Sequence, residues 1–361
     1  MPADPSLRAW LTLSLTRGLG GEGARQLLSK FGSPEAVLAA PSSALKTLVK
    51  PEVAAEIAKG VAEDLLSATL RWLENDNNHI VTLGDSDYPQ ALLNISCPPL
   101  LLYAKGRLEL LNRPALAIVG SRHATPQGIN NAEEFATSLS GAGLCIISGM
   151  AHGIDAAAHR GALRGPGSTI AVVGTGLDRV YPAANRDLAH AIAEQGVLIS
   201  EFPLDTPPIA SNFPRRNRLI SGMSIGCLVV EASLQSGSLI TARLALEQGR
   251  DVFAVPGSIH TPQSKGCHAL IKQGAKLTES AGDILDEIDG LMVAPVQAPA
   301  PLSPQEADSE LMELIGFEPV SMDALCQRTG LTVSQLSAML LTLELEGRIA
   351  TLSGGLFQRT H

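Results

Sequence analysis

The central part of the chain alternates short apolar runs with segments whose apolar residues recur at helical spacing. The runs have the composition of buried strands, and the segments between them, such as NNAEEFATSLSGAG, DAAAHRGAL and LITARLALEQGR, have the pattern of helices. Strands that alternate with helices predict an α/β fold with a mostly parallel, Rossmann-like sheet. The predicted strands are ALAIVG (115–120), LCIISG (144–149), TIAVVG (169–174), VLIS (197–200), CLVVEA (227–232) and VFAVPG (252–257).

The two flanks of this region have different patterns. Residues 1–80 contain short helical runs preceded by a glycine-rich turn at Gly18, Gly20 and Gly21, which suits a SAM-like or helix-hairpin-helix-like domain or a plain helical packing domain. Near the other end, RIATL and LFQRT flank a Ser-Gly-Gly turn after three helical runs, which predicts a winged helix. The predicted domains are therefore helical (1–80), Rossmann-like (81–292), a Pro/Ala-rich linker (293–305) and winged-helix (306–361).

Composition narrows the classes of function. Hydrophobic residues make up 45% of the 361 positions, which supports sizeable cores, whereas aromatic residues make up 3%, which disfavours base stacking as the main binding device. The five cysteines form no CxxC pair, so we expect neither a zinc site nor a disulfide framework. With no signal-like N-terminus and no apolar span of membrane length, we expect a cytoplasmic protein that does not bind membranes.

Polar and glycine-bearing turns follow the predicted strands. Because the carboxyl ends of parallel strands meet at one edge of a sheet, where ligands bind, these turns are expected to converge on one site. They contain Gly120-Ser121-Arg122, the segment SGMAHGIDAAAH, Gly174-Thr175-Gly176, Glu201, and Glu231 with Ser236-Gly237-Ser238.

Two of these turns are similar to turns that bind phosphate groups in other proteins. Ser236-Gly237-Ser238 opens a helix and suits an anion, although a serine N-cap would give the same pattern. Gly174-Thr175-Gly176 is similar to a dinucleotide fingerprint, but the last glycine position is Arg179, which argues against dinucleotide binding. The sequence contains no Walker A motif, so a P-loop NTPase is not supported.

His152, Asp155 and His159 raise the question of a metal or an acid–base site. They lie on related faces if the segment is one helix, but no further ligand set is evident and Asp155 can cap the helix. The structural interpretation is therefore favoured.

The segment NFPRRNRLIS (212–221) places three arginines within four positions of a chain whose net charge is −9. With Asn212 as N-cap and Pro214 in the first turn, a short helix would bring Arg215 and Arg218 together and turn Arg216 away. A pocket that holds Arg122, Arg215 and Arg218 would bind an anion, whereas a solvated helix face is the alternative. All Lys/Arg positions between Lys105 and Lys265 are arginine, which suits bidentate phosphate contacts.

Taken together, these motifs resemble the DNA-processing protein A family, also called DprA or Smf. The resemblance is dense over residues 115–280 and covers the flanks in layout. The stretches that carry it are VGSRHAT, SGMAHGIDAAAH, GTGLDRVYPAANRDL, SEFP, NFPRRNRLISGMS, VVEASLQSGSLITARLALEQGRDVFAVPG and KGCHALIKQGAKL.

The resemblance implies a Rossmann-like core that binds single-stranded DNA, loads the RecA recombinase during natural transformation, and has no catalytic activity and no cofactor or metal. It also implies a homodimer formed near CHALIKQGAKL, through His268, Ile271 and Leu277. The family's phosphate-binding arginines correspond to Arg122 and the RRNR arginines. The residues expected to contact DNA are Gly120, Ser121, Arg122, Ser148, Gly149, Gly174, Gly176, Arg215, Arg216, Asn217, Arg218, Ser236, Gly237 and Ser238.

Two other functions are weighed against this one. A Rossmann-like nucleotide or nucleoside-phosphate hydrolase of the lysine-decarboxylase-like (LOG) type would use Glu201 or Glu231, but the loop LQSGSLITARLALE lacks that family's double glycine. A transcription factor would use the winged helix. Residues 301–361 carry eight acidic residues against three arginines, so we predict that this domain packs or binds protein rather than duplex DNA.

Overall fold

A computed structural model of the chain describes residues 5–288 and, in the C-terminal part, residues 315, 320–329, 336, 339–340, 343–344, 348–352 and 356–359. The chain divides into two compact units, Met1–Val296 and Gln297–His361. The predicted linker, 293–305, lies outside the described residues.

The N-terminal residues form helices, as predicted. Their apolar sides build a common core that includes Leu13, Leu27 and Leu45, and a second cluster joins Leu11 and Leu66 to strand residues further along the chain. The assignment of residues 1–80 as a separate SAM-like domain stays a prediction. The helices are α1 (Pro5–Leu15), α2 (Gly21–Phe31), α3 (Pro34–Ala39), α4 (Ser42–Leu45), α5 (Pro51–Lys59) and α6 (Glu63–Trp72).

Within residues 5–288 the chain forms a nine-stranded sheet with the order β1-β2-β6-β5-β4-β3-β7-β8-β9. Strand β2 pairs antiparallel with β1 and β6, and the other pairings are parallel. All six predicted strands are confirmed, as β3 to β8. The strands are β1 (Asn78–Thr82), β2 (Leu101–Gly106), β3 (Ala115–Val119), β4 (Cys145–Ser148), β5 (Thr169–Val172), β6 (Val197–Ser200), β7 (Gly226–Val229), β8 (Asp251–Ala254) and β9 (Lys276–Leu277).

Helices connect the parallel strands, including the three predicted from the pattern. Helix α7 shows how one begins: the Thr125 side chain accepts a hydrogen bond from the Gly128 N–H at 3.0 Å, and Pro126 occupies the first turn. The helices are α7 (Pro126–Gly141), α8 (Ile154–Ala162), α9 (Arg186–Gln195), α10 (Asn212–Met223), α11 (Ser238–Glu247), α12 (Lys265–Lys272) and α13 (Ala281–Glu287).

The core lies on both faces of the sheet. In β3, Ala115, Ala117 and Val119 pack into one hydrophobic cluster, and Leu116 and Ile118 pack into another. Successive side chains of a strand point to opposite faces, so a central strand covered on both sides is apolar throughout. This explains why continuous apolar runs predicted the strands correctly.

The C-terminal unit contains a three-stranded antiparallel sheet with the order β10-β12-β11. The predicted hairpin is confirmed, because Ile349 pairs with Arg359 and Leu352 with Leu356. Much of the helical run 332–347 lies outside the described residues, but Leu336, Leu340 and Leu343 are buried in the unit's core. Among the described residues of this unit, the elements with defined bounds are β10 (Val320–Ser321), α14 (Met322–Thr329), β11 (Ile349–Leu352) and β12 (Leu356–Arg359).

Candidate nucleic-acid interface

The strand order creates a switch point between β3 and β7. Strands β3, β4, β5 and β6 follow one another in one direction, and β7 lies on the other side of β3. Ligands of open parallel sheets bind in the crevice at such a point. A cleft of about 550 Å³ opens there, lined by residues that follow β3, β4, β5, β6 and β7. The turn after β3 and the start of α11 meet at this site, which we call the switch-point cleft, whereas Gly174, Gly176, Glu201 and Glu231 do not line it.

The loop after β3 forms one wall of the cleft. The Ser121 N–H donates to the Glu231 carbonyl at 2.7 Å, which ties this loop to the end of β7. A Cβ on Gly120 would lie 2.6 Å from Ile154 and 2.9 Å from the same carbonyl, so only glycine fits. Arg122 is exposed beyond this turn, with its guanidinium 5.7 Å from the centre of the Phe213 ring. Among the described residues it forms no ion pair.

The start of helix α11 forms another part of the cleft lining. Gly237, not a serine, is the N-cap residue. Ser236 Oγ lies 2.7 Å from Ser238 Oγ and accepts a 3.4 Å hydrogen bond from the Ser238 N–H. Both hydroxyls line the cleft at the positive end of the helix dipole, which suits an anion.

Arg216 lies at the floor of the cleft and is buried. Its Nη1 donates to the Val172 carbonyl at the end of β5, at 2.8 Å, and a Cβ on Gly149 would overlap its guanidinium. Burial lowers the pKa of Arg216 to about 10, which the Asp155 carboxylate opposes, so the guanidinium stays charged at neutral pH. Burial likewise raises the pKa of Asp155, and the charge of Arg216 counters that shift.

Arg215 and Arg218 do not line the cleft, which corrects the predicted grouping with Arg122. They are neighbours on α10, as predicted, but both donate to one oxygen of Glu201, at 2.9 Å and 2.5 Å. The Glu201 side chain is 3% exposed. Successive helical residues differ by about 100° in direction, so the face that meets Glu201 leaves Arg216 and Asn217 to line the cleft.

Four other residues expected to contact DNA have packing roles instead. Ser148 is fully buried and donates its hydroxyl to the Ile118 carbonyl at 2.6 Å. Gly149 makes room for Arg216, Gly174 lies against the Phe213 ring, and Gly176 packs beside Pro203. None of the four is a lining residue of the cleft, and the geometry does not support direct contact with DNA.

The carboxylates considered for catalysis are already engaged. Glu231 accepts from the Thr125 N–H at 2.9 Å and from its hydroxyl at 2.6 Å, which holds the start of α7. Glu201 is held in its pair with the two arginines. Neither is a lining residue of the cleft, so the arrangement argues against the hydrolase alternative.

The structural interpretation of the histidines is supported. His159 is buried, and its Nδ1 lies 2.7 Å from the Thr169 hydroxyl, which itself donates to the Ile146 carbonyl. Burial lowers the pKa of His159 to about 3. His152 is exposed and precedes α8. Across the described ranges, no group of three His, Cys, Asp or Glu residues could hold a metal ion.

Sequence reasoning missed the aromatic wall of the cleft. Tyr181 and Phe213 line it with their ring centres 5.6 Å apart, and Tyr181 is 45% exposed. The low aromatic content of the whole chain gave no indication of this wall, because composition does not show where the few aromatic residues lie. Two of them lie at the site. Phe213 stands next to Pro214 in the arginine motif and was the signal that could have indicated it.

The residues expected at a dimer interface lie near the β9 edge of the sheet. Leu277 is in the edge strand β9 and is 45% exposed. His268 Nε2 lies 3.0 Å from the Gly257 carbonyl, and Ile271 packs partly buried against the core. Separately, none of the helices within the described residues is long and apolar enough to cross a membrane.

A mostly parallel sheet in this order, with two arginines in the cleft at its switch point, defines a Rossmann-like protein. The sequence model of DNA recombination-mediator protein A matches residues 79–289, and that of the DprA winged helix domain matches residues 293–355. The chain belongs to the DNA recombination-mediator protein A family, and its C-terminal domain is a winged helix. The resemblance found in the sequence is confirmed.

Relatives and solved structures agree with this assignment. Protein Smf of Escherichia coli K12 is 45% identical over 299 residues, 80% of each chain. DNA processing protein DprA of Streptococcus pneumoniae R6 is 48% identical over 61% of this chain and 80% of that one. The X-ray structure of DprA from S. pneumoniae has a TM-score of 0.68 at 39% identity, covering 77% of this chain and 95% of that one. A structure of DNA processing protein A from Helicobacter pylori, described for its single-stranded DNA binding mode, has a TM-score of 0.54 at 32% identity, covering 58% and 95%.

Proposed function

We propose that this protein is a non-catalytic, cytoplasmic single-stranded-DNA-binding protein that protects incoming DNA and loads the RecA recombinase during natural transformation. The observation that carries the proposal is the charge arrangement of the switch-point cleft. Buried Arg216 and exposed Arg122 line the same cleft as a helix N-terminus with two serine hydroxyls. Such a site attracts phosphate groups.

The residues that line the cleft suit a single strand better than a duplex. Its walls combine these phosphate-binding groups with the exposed Tyr181 ring and with Phe213. A single strand presents both phosphates and unstacked bases to such a surface, whereas a duplex hides its base faces. The related H. pylori protein, which is described as binding single-stranded DNA, supports the same choice.

The absence of catalysis is part of the proposal. Glu201 and Glu231 are engaged in an ion pair and in a helix start, and His159 is buried with a hydrogen-bonded ring. A general acid or base has to reach the proton that it transfers. Asp155 also lines the cleft, but it lies beside buried Arg216 and accepts from the Ala151 N–H at 3.3 Å. Release of the free base and sugar phosphate, or of phosphate, from nucleoside monophosphates would favour the hydrolase alternative.

A homodimer is the second part of the proposal. Leu277 exposes an apolar side chain on an edge strand, where a second copy can pack. Two linked clefts would bind one strand with a gain in effective concentration. Light scattering should therefore show a dimer for the wild type and a folded monomer with weaker DNA binding for Leu277→Glu. A monomeric wild type at micromolar concentration would contradict this part.

The direct test of DNA binding is a titration of labelled single-stranded and hairpin duplex DNA, followed by fluorescence anisotropy over a range of salt. We expect preference for the single strand, little sequence preference, and a log–log salt slope of roughly −0.7 for each neutralised phosphate. Arg164→Ala is the matched control, since Arg164 is an exposed arginine paired with Glu133. A slope near zero, or preference for duplex, would overturn the proposal.

A further inference from the structure

Arg215 lies outside the switch-point cleft but directly beside it. Pro214 and Arg216, its neighbours in α10, both line the cleft. The Arg215 side chain is 59% exposed, so much of its guanidinium faces solvent. A strand that leaves the cleft across the first turn of α10 would therefore pass close to this group.

The guanidinium of Arg215 is held from two sides. Its Nη2 donates to Glu201 Oε2 at 2.9 Å, and its Cζ lies 5.3 Å from the centre of the Phe202 ring. Phe202 is 5% exposed, and the Glu201 side chain is 3% exposed. Both supports are thus fixed by burial, unlike the mobile partners of most surface ion pairs.

The charges of Glu201, Arg215 and Arg218 do not cancel. Glu201 carries one negative charge and accepts from two guanidinium groups, since Arg218 Nη2 also donates to Oε2. The Arg218 side chain is only 14% exposed, so Arg218 is the inner counter-ion and the surplus positive charge faces outward on Arg215. Glu201 Oε1 and Arg218 Nη1 are buried without a hydrogen-bond partner among the described residues, so hydrogen bonds satisfy the buried part of the pair only partly.

We propose that Glu201 and Phe202 are positioning residues that hold Arg215 as a second phosphate contact, outside the cleft, on the path of the bound strand. The inference rests on the proposed single-stranded DNA binding. The three arginines of α10 then have different roles. Arg216 lines the cleft, Arg215 contacts the strand outside the cleft, and Arg218 neutralises the charge of Glu201.

Strand length is the first test. Oligothymidines of about 3, 6, 12 and 20 nucleotides are titrated against the wild type, Arg215→Ala and the control Arg164→Ala. Arg164 is 61% exposed and also pairs with a carboxylate, so it matches Arg215 in exposure and charge. We expect Arg215→Ala to weaken binding of the longer strands about tenfold and of the shortest less than twofold. An equal loss at every length, or no loss relative to Arg164→Ala, would overturn the inference.

A double-mutant cycle tests the role of Glu201. If Glu201 positions Arg215, then Arg215→Ala should cost about twofold or less in a Glu201→Gln background. If Glu201 merely screens the charge, the loss caused by Arg215→Ala stays near tenfold in that background, which contradicts the inference.

Arg215→Lys provides a second variant should Glu201→Gln fail to fold. Lysine keeps the charge but lacks the planar group that bonds Glu201 and lies over Phe202. We expect it to recover less than half of the lost binding free energy on the long strands, and wild-type affinity would refute positioning. Failure of the wild type to bind any of these strands would instead refute the proposed function.

Discussion

The Rossmann-like core and the C-terminal winged helix are both folds used to bind nucleic acid, but their charges differ. The core places Arg122 and Arg216 in one cleft, while two of its nearby carboxylates are tied up in ion pairing and helix capping. Residues 301–361 carry a formal balance of −5. A fold supplies a surface, whereas affinity for a polyanion depends on where the unneutralised cations lie.

The largest expected effect is the loss of stability of the core in acid. The buried neutral His159 has a folded pKa near 3, below the unfolded value near 6.5. Its stabilisation is therefore fully present above about pH 6.5 and is lost as the pH falls toward 3, by up to about 1.4 kcal/mol for each pH unit. Urea unfolding of the core at pH 6 and pH 4 should show a loss about 2–3 kcal/mol greater for the wild type than for His159→Gln. An equal loss of unfolding free energy in the wild type and in His159→Gln would show that His159 is not the acid-sensitive group.

Removing the rim arginine tests the cleft itself. Arg122→Ala should weaken binding of single-stranded DNA by about 1.5–3 kcal/mol, the range for a hydrogen bond to a charged group. Because Arg122 is exposed, the melting temperature should stay within about 2 °C of the wild type. Anisotropy titrations measure the affinity, and thermal melts measure the melting temperature. An unchanged affinity would show that Arg122 does not contribute to DNA binding by the core.

Arg218→Ala should affect folding more than binding. It removes the more buried of the two cations on Glu201, while Arg215 still pairs with the carboxylate. We expect a loss of about 1–2 kcal/mol in the free energy of unfolding, measured in urea, because a nearly buried charge loses a hydrogen bond. DNA affinity, measured well below the melting temperature, should fall less than for Arg122→Ala. A larger loss of DNA affinity for Arg218→Ala than for Arg122→Ala would indicate that Arg218 contacts DNA.

The smallest effect is expected from removing the winged helix. Deletion of residues 300–361 should leave the affinity for single-stranded DNA within about threefold, a change below ~0.7 kcal/mol. The complementary measurement titrates the fragment 301–361 with duplex DNA at low salt, where repulsion by its acidic residues is least screened. Micromolar binding of that fragment to duplex DNA would show that the winged helix binds DNA by itself, and it would favour the transcription-factor alternative.

The sheet and its cleft could be predicted largely because buried parallel strands leave continuous apolar runs in the sequence. Strands β1 and β2 were missed because both precede the region where strands alternate with helices, and β9 was missed because it has only two residues. The division of the arginines was predicted wrongly for a different reason. Helical spacing correctly paired Arg215 with Arg218, but the pattern carried no information on which face would meet the buried carboxylate of Glu201.

The fit between Gly149 and Arg216 also restricts the order in which this cleft can change during evolution. A side chain at position 149 would occupy the space of the guanidinium, whereas a smaller residue at position 216 would leave that space empty. A lineage can therefore lose the arginine first and fill the gap later, but it cannot take the two steps in the opposite order without disrupting the cleft. Once both positions have changed, restoring the arginine requires the glycine to return first, so loss of this cleft should be easier than its recovery.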